Sequence, residues 1–258
     1  MTATLPEGFR LQACDVVDST NARALAAARA GDPGKLWVTG REQTAGRGRR
    51  GRTWSSPRGN LYASLLLVGR AAPSEANGTV SLLAAVALDQ ALIDVAGPAA
   101  ATRMALKWPN DILCDGRKVA GILVEAEDSG GDRYAVAIGI GVNCRSHPTV
   151  DGMQPAGDLA ALGLGIDPEV LFARLAERMA AEIDRWDGGR NFAAIRDRWL
   201  KRAAGLGAAV RVMLPGGEAE GTFETVDATG RMIVRKPDGS RMVVSSGDAS
   251  VRLSRGDR

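Results

Sequence analysis

The chain has 258 residues, 45% apolar and only 4% aromatic, with a formal net charge of +3 and a sequence pI of about 9.0. That is apolar matter for one large domain, or one domain with a small appendage, and it excludes disorder as the default. The weak positive charge admits an anionic ligand without requiring nucleic acid, and the shortage of aromatics argues against a base-stacking surface. Three widely spaced cysteines, Cys14, Cys114 and Cys144, argue against a disulfide framework or a zinc site. The N-terminus lacks a signal-peptide pattern, and the most apolar stretch, Val80 to Val95, is interrupted by Asp89, Gln90 and Asp94. The expectation is a cytoplasmic enzyme without a membrane span.

In chain order, residues 9–17 alternate as a strand, and DSTNARALAAARAG follows with Ser19 or Thr20 as helix cap and Gly31 as terminator. Residues 36–41 predict a strand that runs into GRGRRGR (46–52), and LYASLLLVG (61–69) predicts a strongly apolar strand. Residues 74–96 predict an amphipathic helix with Leu82, Val86 and Ile93 on one face. Residues 103–127 predict successive strands with a hairpin at Asp115-Gly116, and 133–143 a buried strand with two glycines. Helices are expected over about 168–187 and 191–203, and short β runs separated by PGG, ATG and PDG over 205–253. The boundary falls near 204–206.

Gly46, Gly48 and Gly51 match G-x-G-x-x-G, the dinucleotide fingerprint. That fingerprint needs a helix after the glycines, whereas GRTWSSPRGN leads through Pro57 and Gly59 into a strand. Glycine lets the backbone approach a ligand and arginine offers forked donors to carboxylate or phosphate, so the stretch suits a loop that wraps a small anion; a solvated basic loop is the plain alternative. Only five of the 33 basic residues are lysine, and Lys107 and Lys118 fall within twelve positions of each other. Asp111 can orient a metal or a ribose, or merely make a turn. Gly139 and Gly141 mark close approach by another backbone or a ligand, and Asn143 can read a base edge or cap the strand. His147, the single histidine, lies in a polar stretch with no partner evident in the sequence. Catalysis by a histidine-based triad is therefore not expected, and positioning with electrostatics is.

Four segments occur in order: DSTN (18–21), EQTAGRGRRGRTW (42–54), KWPNDI with GRKVAGILVE (107–125), and GIGVN (139–143). Together they resemble the catalytic module of biotin protein ligases, and the β-rich tail resembles that family's small SH3-like C-terminal domain. The resemblance implies an α+β fold: a central mixed sheet flanked by helices, class II synthetase-like, over residues 1–204, and an SH3-like β-barrel over 205–258.

It further implies a ligase that uses ATP and Mg²⁺ to activate biotin as biotinyl-5′-adenylate, then moves biotin to one lysine of a biotin carboxyl carrier protein. By motif matching, biotin would be held by Ser19, Thr20, Asn21, Gln43, Gly46, Arg47, Gly48, Arg49 and Lys118. ATP would be held by Arg49, Arg52, Trp54, Asn110, Asp111, Lys118 and Asn143, with Asp111 as a candidate for magnesium. Lys118 and Arg49 would be catalytic. Some members carry an N-terminal DNA-binding domain; 17 residues before DSTN are too few for one, so DNA binding is not expected. A monomer or a sheet-edge homodimer both remain open. The competing readings are a lipoate or octanoate ligase of related fold, and a basic nucleic-acid-binding module.

Overall fold

The computed structural model describes residues 4–69, 73–130, 133–148, 155–214, 217–245 and 250–253. A seven-stranded mixed sheet is formed by β1 (Arg10–Val17), β2 (Leu36–Gln43), β3 (Leu61–Gly69), β4 (Met104–Lys107), β5 (Asp111–Cys114), β6 (Arg117–Gly130) and β7 (Arg133–Val142). Its order is β1-β2-β3-β7-β6-β5-β4, with β1 and β2 parallel and the other pairs antiparallel. The Asp115-Gly116 hairpin forms as expected: both residues have positive φ, 48° and 73°, as a two-residue type I′ turn demands.

One face of the sheet carries α1 (Thr20–Arg29). Ser19 caps it, its side chain accepting from the Ala22 N–H. Gly31, at φ 90°, ends it in a Schellman turn, with Gly31 N donating to Ala28 O and Asp32 N to Ala27 O. The other face carries α2 (Pro73–Ala96), α3 (Pro168–Trp186) and α4 (Phe192–Leu200). Trp37 of β2 meets Phe172 of α3 edge-on at 5.4 Å.

α2 departs from the amphipathic expectation. Its residues 79–89 are buried all round, Leu82 and Val86 no more so than Ala84 or Leu88, and Ile93 is only half-buried. It is wedged between the sheet and the other two helices, and a helix apolar on every side is a core helix. Gly78–Ala96 is long and apolar enough to cross a membrane by length and composition, yet 72% of it is buried inside the fold. Asp89, the interruption noted in the sequence, is buried and met by both arms of Arg202 at 2.8 and 3.0 Å, the pairing a buried carboxylate requires.

Beyond α4 the chain passes β4, with Leu106 N donating to Arg202 O and Ala204 N to Leu106 O. It then forms β8 (Ala209–Leu214), β9 (Gly217–Val226), β10 (Met232–Arg235), β11 (Arg241–Val244) and β12 (Ser250–Leu253). These make one antiparallel sheet of order β11-β10-β9-β8-β12; among the described residues the outer strands do not pair, so no closed barrel is formed. Trp199 of α4 packs on Phe223 of β9, and the buried Trp108 indole donates to Gly230 O at 3.0 Å, which joins the small sheet to the large one.

Candidate active site

Strand register assembles the site. On the α1 face, paired residues form rows across the sheet. One row reads Gly40, Tyr62, Gly141, Gly121, Asp111, Lys107. The next reads Val38, Ser64, Gly139, Leu123, and the one after Leu36, Leu66, Ala137, Glu125. α1 covers the last of these, packing Ala24, Leu25 and Ala28 on Leu36, Leu66 and Ala137. The glycine row is left as a trough whose floor, at Gly121 and Gly141, carries no side chain of its own and is covered by Trp54.

At the α1 end of the trough the groups are tightly bonded and, apart from the Glu125 carboxylate, neutral. Thr20 donates through its N–H and its hydroxyl to Gln43 Oε1 at 2.9 and 3.1 Å. Gln43 Nε2 donates to Ser56 Oγ, which donates to Trp54 O, both at 2.9 Å. Ser64 Oγ lies 2.6 Å from Asn21 Oδ1 and 2.7 Å from Thr20 Oγ1. Asn21 Nδ2 donates to Leu123 O and to Glu125 Oε2. A Cβ at Gly139 would stand 2.4 Å from Asn21 Oδ1, so the close approach expected at this glycine is by a side chain of α1. Ser19 stays with the helix as its cap.

The 46–52 stretch folds back on itself beside this end. Arg47 bridges to Thr53, Gly48 N donates to Arg52 O at 2.7 Å, and Trp54 N donates to Gly46 O at 2.9 Å. A Cβ at Gly46 would lie 2.3 Å from Trp54 O, so this glycine is needed by the turn itself. Arg50 and Gly51 hold φ of 58° and 68°. Arg47 reaches Glu125 Oε2 at 2.9 Å, and Arg52 is exposed.

At the opposite end the groups are charged. Asn110, in the turn between β4 and β5, donates from Nδ2 to Ile122 O at 2.7 Å, and its backbone carbonyl accepts from Ile122 N at 2.9 Å. Its Oδ1 accepts from Arg49 at 3.1 Å. Burial pushes the Arg49 guanidinium below its ordinary pKa; Asp111 opposes this, and Arg50 and Arg52 add to it. A desolvated cation of this kind gains from an arriving anion.

Lys118 owes its direction to a β-bulge. The β5–β6 register slips between Ile112 and Leu113, leaving Val119 as an extra residue. Val119 and Ala120 both enter the core, and Lys118 turns to the trough face beside Gly121. Its backbone there pairs with 155–157 rather than with β7. Lys118 Nζ stands 2.5 Å from Asp111 Oδ1, and among the described residues this buried oxygen has no partner in hydrogen-bond geometry. The contact is therefore ionic, with the oxygen still open to a better-placed donor or cation. Lys118 Nζ also lies 5.3 Å from the Trp54 ring centre. Trp54 lies flat on the glycine floor: a Cβ at Gly141 would be 2.6 Å from its Nε1 and one at Gly121 3.1 Å from its ring, and among the described residues Nε1 has no partner.

The structure thus brings Thr20, Asn21, Gln43, Arg47, Arg49, Trp54, Asn110, Asp111 and Lys118 around one trough. Asn143 sits behind it, buried, with Nδ2 donating to Gly157 O at 3.0 Å. Sequence reasoning missed Ser56, Ser64 and Glu125, and it missed Asn60, whose Oδ1 accepts from the N–H groups of Cys144, Arg145 and Ser146. His147 has a partner after all: Nδ1 is 2.7 Å from Oδ2 of the buried Asp158. Cys144 is inert, its thiol pushed up to about 12 by burial.

The chain matches the biotin/lipoate A/B protein ligase family over residues 13–143 and the biotin protein ligase C terminal domain over 205–252. It is 42% identical to a biotin--[acetyl-CoA-carboxylase] ligase of Paracoccus denitrificans, over 88% of this chain and 94% of that one. In three dimensions it resembles the Aquifex aeolicus biotin protein ligase in complex with biotin and ATP, with a TM-score of 0.78, 24% identity and coverage of 95% and 99%. It also resembles the Leishmania major enzyme in complex with biotinyl-5-AMP, with a TM-score of 0.65, 27% identity and coverage of 93% and 99%. The chain belongs to the biotin/lipoate A/B protein ligase family and, within it, to the biotin protein ligases.

Proposed function

We propose that this protein activates biotin with ATP as biotinyl-5′-adenylate and transfers it to a lysine of a biotin carboxyl carrier protein. The observation that carries this reading is the trough itself. A neutral hydrogen-bonding pocket at one end and a cluster of cations at the other face each other across a glycine floor. The first suits an uncharged ring that must be recognised by shape and hydrogen bonds, and the second suits a carboxylate meeting a phosphate.

In the first step a biotin carboxylate oxygen bonds to the α-phosphorus of ATP. The bond to the bridging oxygen breaks, and pyrophosphate leaves with that electron pair. The carboxylate is already ionised near neutral pH, so no protein base is needed. In the second step a neutral lysine amine attacks the acyl carbon, loses a proton, and AMP leaves.

Thr20, Asn21 and Gln43 bind the biotin head group, with Ser19 fixing the start of α1. Gly46, Arg47 and Gly48 lie along its tail. Arg49 and Lys118 hold the junction where charge develops, and Arg52 faces the phosphates. Trp54 leaves the glycine floor to cover the adenine. Asn110 places Arg49, and Asn143 serves the adenine end from behind the 157–159 segment. Mg²⁺ fits as an ion held mainly by phosphates, with Asp111 as its one carboxylate: Asp111 Oδ1 is buried without a hydrogen bond, and no group of three His, Cys, Asp or Glu among the described residues makes a cage. It would supply charge neutralisation at the phosphates.

Residues 1–204 form the catalytic part and 205–258 the accessory one, in a cytoplasmic monomer or a homodimer through the outer strand β1, where Leu11 and Val16 are exposed. The reading includes no DNA partner, and the engagement of Arg47 and Arg49 with Glu125 and Asn110 supports that part of it. ATP–pyrophosphate exchange tests the reading. Exchange is expected with biotin; exchange with lipoate and not biotin would overturn it, and steep salt-dependent binding of generic DNA would revive the nucleic-acid alternative.

A further inference from the structure

We propose that Glu125 is a positioning residue that latches the 46–54 loop over the biotin pocket. The proposal rests on the biotin ligase reading above and assigns a role to a residue outside the site expected from sequence. Register places Glu125 on the trough face of β6, level with Ala137 and Leu66. A single oxygen, Oε2, accepts from two directions: Asn21 Nδ2 at 2.7 Å from the pocket, and an Arg47 nitrogen at 2.9 Å from the loop.

The two contacts do not need the same chemistry. Asn21 is already fixed, with Oδ1 on Ser64 and Nδ2 also on Leu123 O, and any neutral acceptor at 125 would complete it. A negative charge there is answered by Arg47. Arg47 in turn is the residue at which the loop closes on itself, through its bridge to Thr53. Holding Arg47 therefore holds the hairpin, while Arg49 on Asn110 holds its other side. Both partners are partly exposed, Arg47 43% and Glu125 29%, so the bond is weakened by solvent and suits a latch that must open to admit substrate and carrier.

The test is the retention of preformed biotinyl-adenylate by the full chain, measured as its dissociation rate in a chase. Glu125→Gln keeps shape and an acceptor for Asn21 but removes the charge. It is expected to raise the dissociation rate roughly 2- to 5-fold, the range for a partly exposed ion pair. The single-turnover rate of adenylate formation should stay within about twofold, because no group that touches the reacting atoms is changed. Arg47→Gln is expected to leak at least as fast, and the double variant no faster than Arg47→Gln alone. An unchanged dissociation rate in Glu125→Gln, or additive effects in the double variant, would overturn the latch. If Glu125→Gln does not fold, wild-type retention by Arg47→Gln would do the same. A wild-type chain that forms no biotinyl-adenylate would instead overturn the functional reading, before any variant is made.

Discussion

At the α1 end of the trough, Thr20, Asn21, Gln43, Ser56 and Ser64 bond to one another, and none is among the buried atoms left without a partner. At the β5 end, Asp111 Oδ1 touches Lys118 without a hydrogen bond, and among the described residues the Trp54 indole N–H has no acceptor. The first end is complete before any ligand arrives. The second is held in contacts that a ligand must replace. Recognition gains from preorganised neutral groups, since their bonds cost no reorganisation on binding, whereas chemistry needs cations free to transfer from an internal partner to a developing charge.

The largest effect expected from this contrast is at Lys118. Lys118→Ala should lower biotin-dependent ATP–pyrophosphate exchange by roughly 100-fold or more, the range for a group that stabilises transition-state charge. Biotin affinity without ATP should fall far less than the rate, because Lys118 meets only the carboxylate end of biotin and the neutral pocket is untouched. A variant that lost biotin affinity as steeply as rate would erase the distinction between the ends.

Gly139→Ala probes the other end. The new Cβ would stand 2.4 Å from Asn21 Oδ1, a contact that cannot be kept. Overpacking of this kind costs about 1–3 kcal/mol, read as a lower melting temperature. With Asn21 displaced, biotin affinity should fall about tenfold, the equivalent of roughly 1.4 kcal/mol. Wild-type biotin affinity in a folded Gly139→Ala protein would mean that Asn21 is not part of the pocket.

Much of this was legible in the chain. The cap and terminator of α1, the Asp115-Gly116 hairpin and the β-rich tail depend on neighbours in sequence, and the glycines of 139 and 141 announced a close approach. What approached was not legible: Asn21 lies more than a hundred positions from Glu125, and its partners come from two separate strands, Leu123 and Glu125 on β6 and Ser64 on β3. The direction of Lys118 depends on a bulge that strict alternation hides. Leu82, Val86 and Ile93 read as one apolar stripe of α2, yet the helix is buried on its other sides too; Asp89, which falls on that stripe, is buried against Arg202, a partner supplied only by tertiary structure. His147 and Asp158 are eleven positions apart, but residues 149–154 between them lie outside the described residues.

The smallest effect expected separates the β5 end from the sheet behind it. Trp108 immediately precedes Pro109-Asn110-Asp111, and its indole donates to Gly230 O of the C-terminal sheet. Trp108→Phe keeps most of the ring and removes the donor, leaving a buried carbonyl without its partner at a cost of about 1–2 kcal/mol. In a chain of this size that is a fall of roughly 2–8 °C in melting temperature. Exchange activity should nevertheless survive, because Asn110 is tied to Ile122 by two bonds of its own, one from its side chain and one to its backbone carbonyl. Arg49 is placed by Asn110 and Lys118 by the β6 bulge, neither of which involves the small sheet. Loss of exchange in a folded Trp108→Phe protein would show that the charged end is set from the C-terminal side, and that the trough is not a property of the large sheet alone.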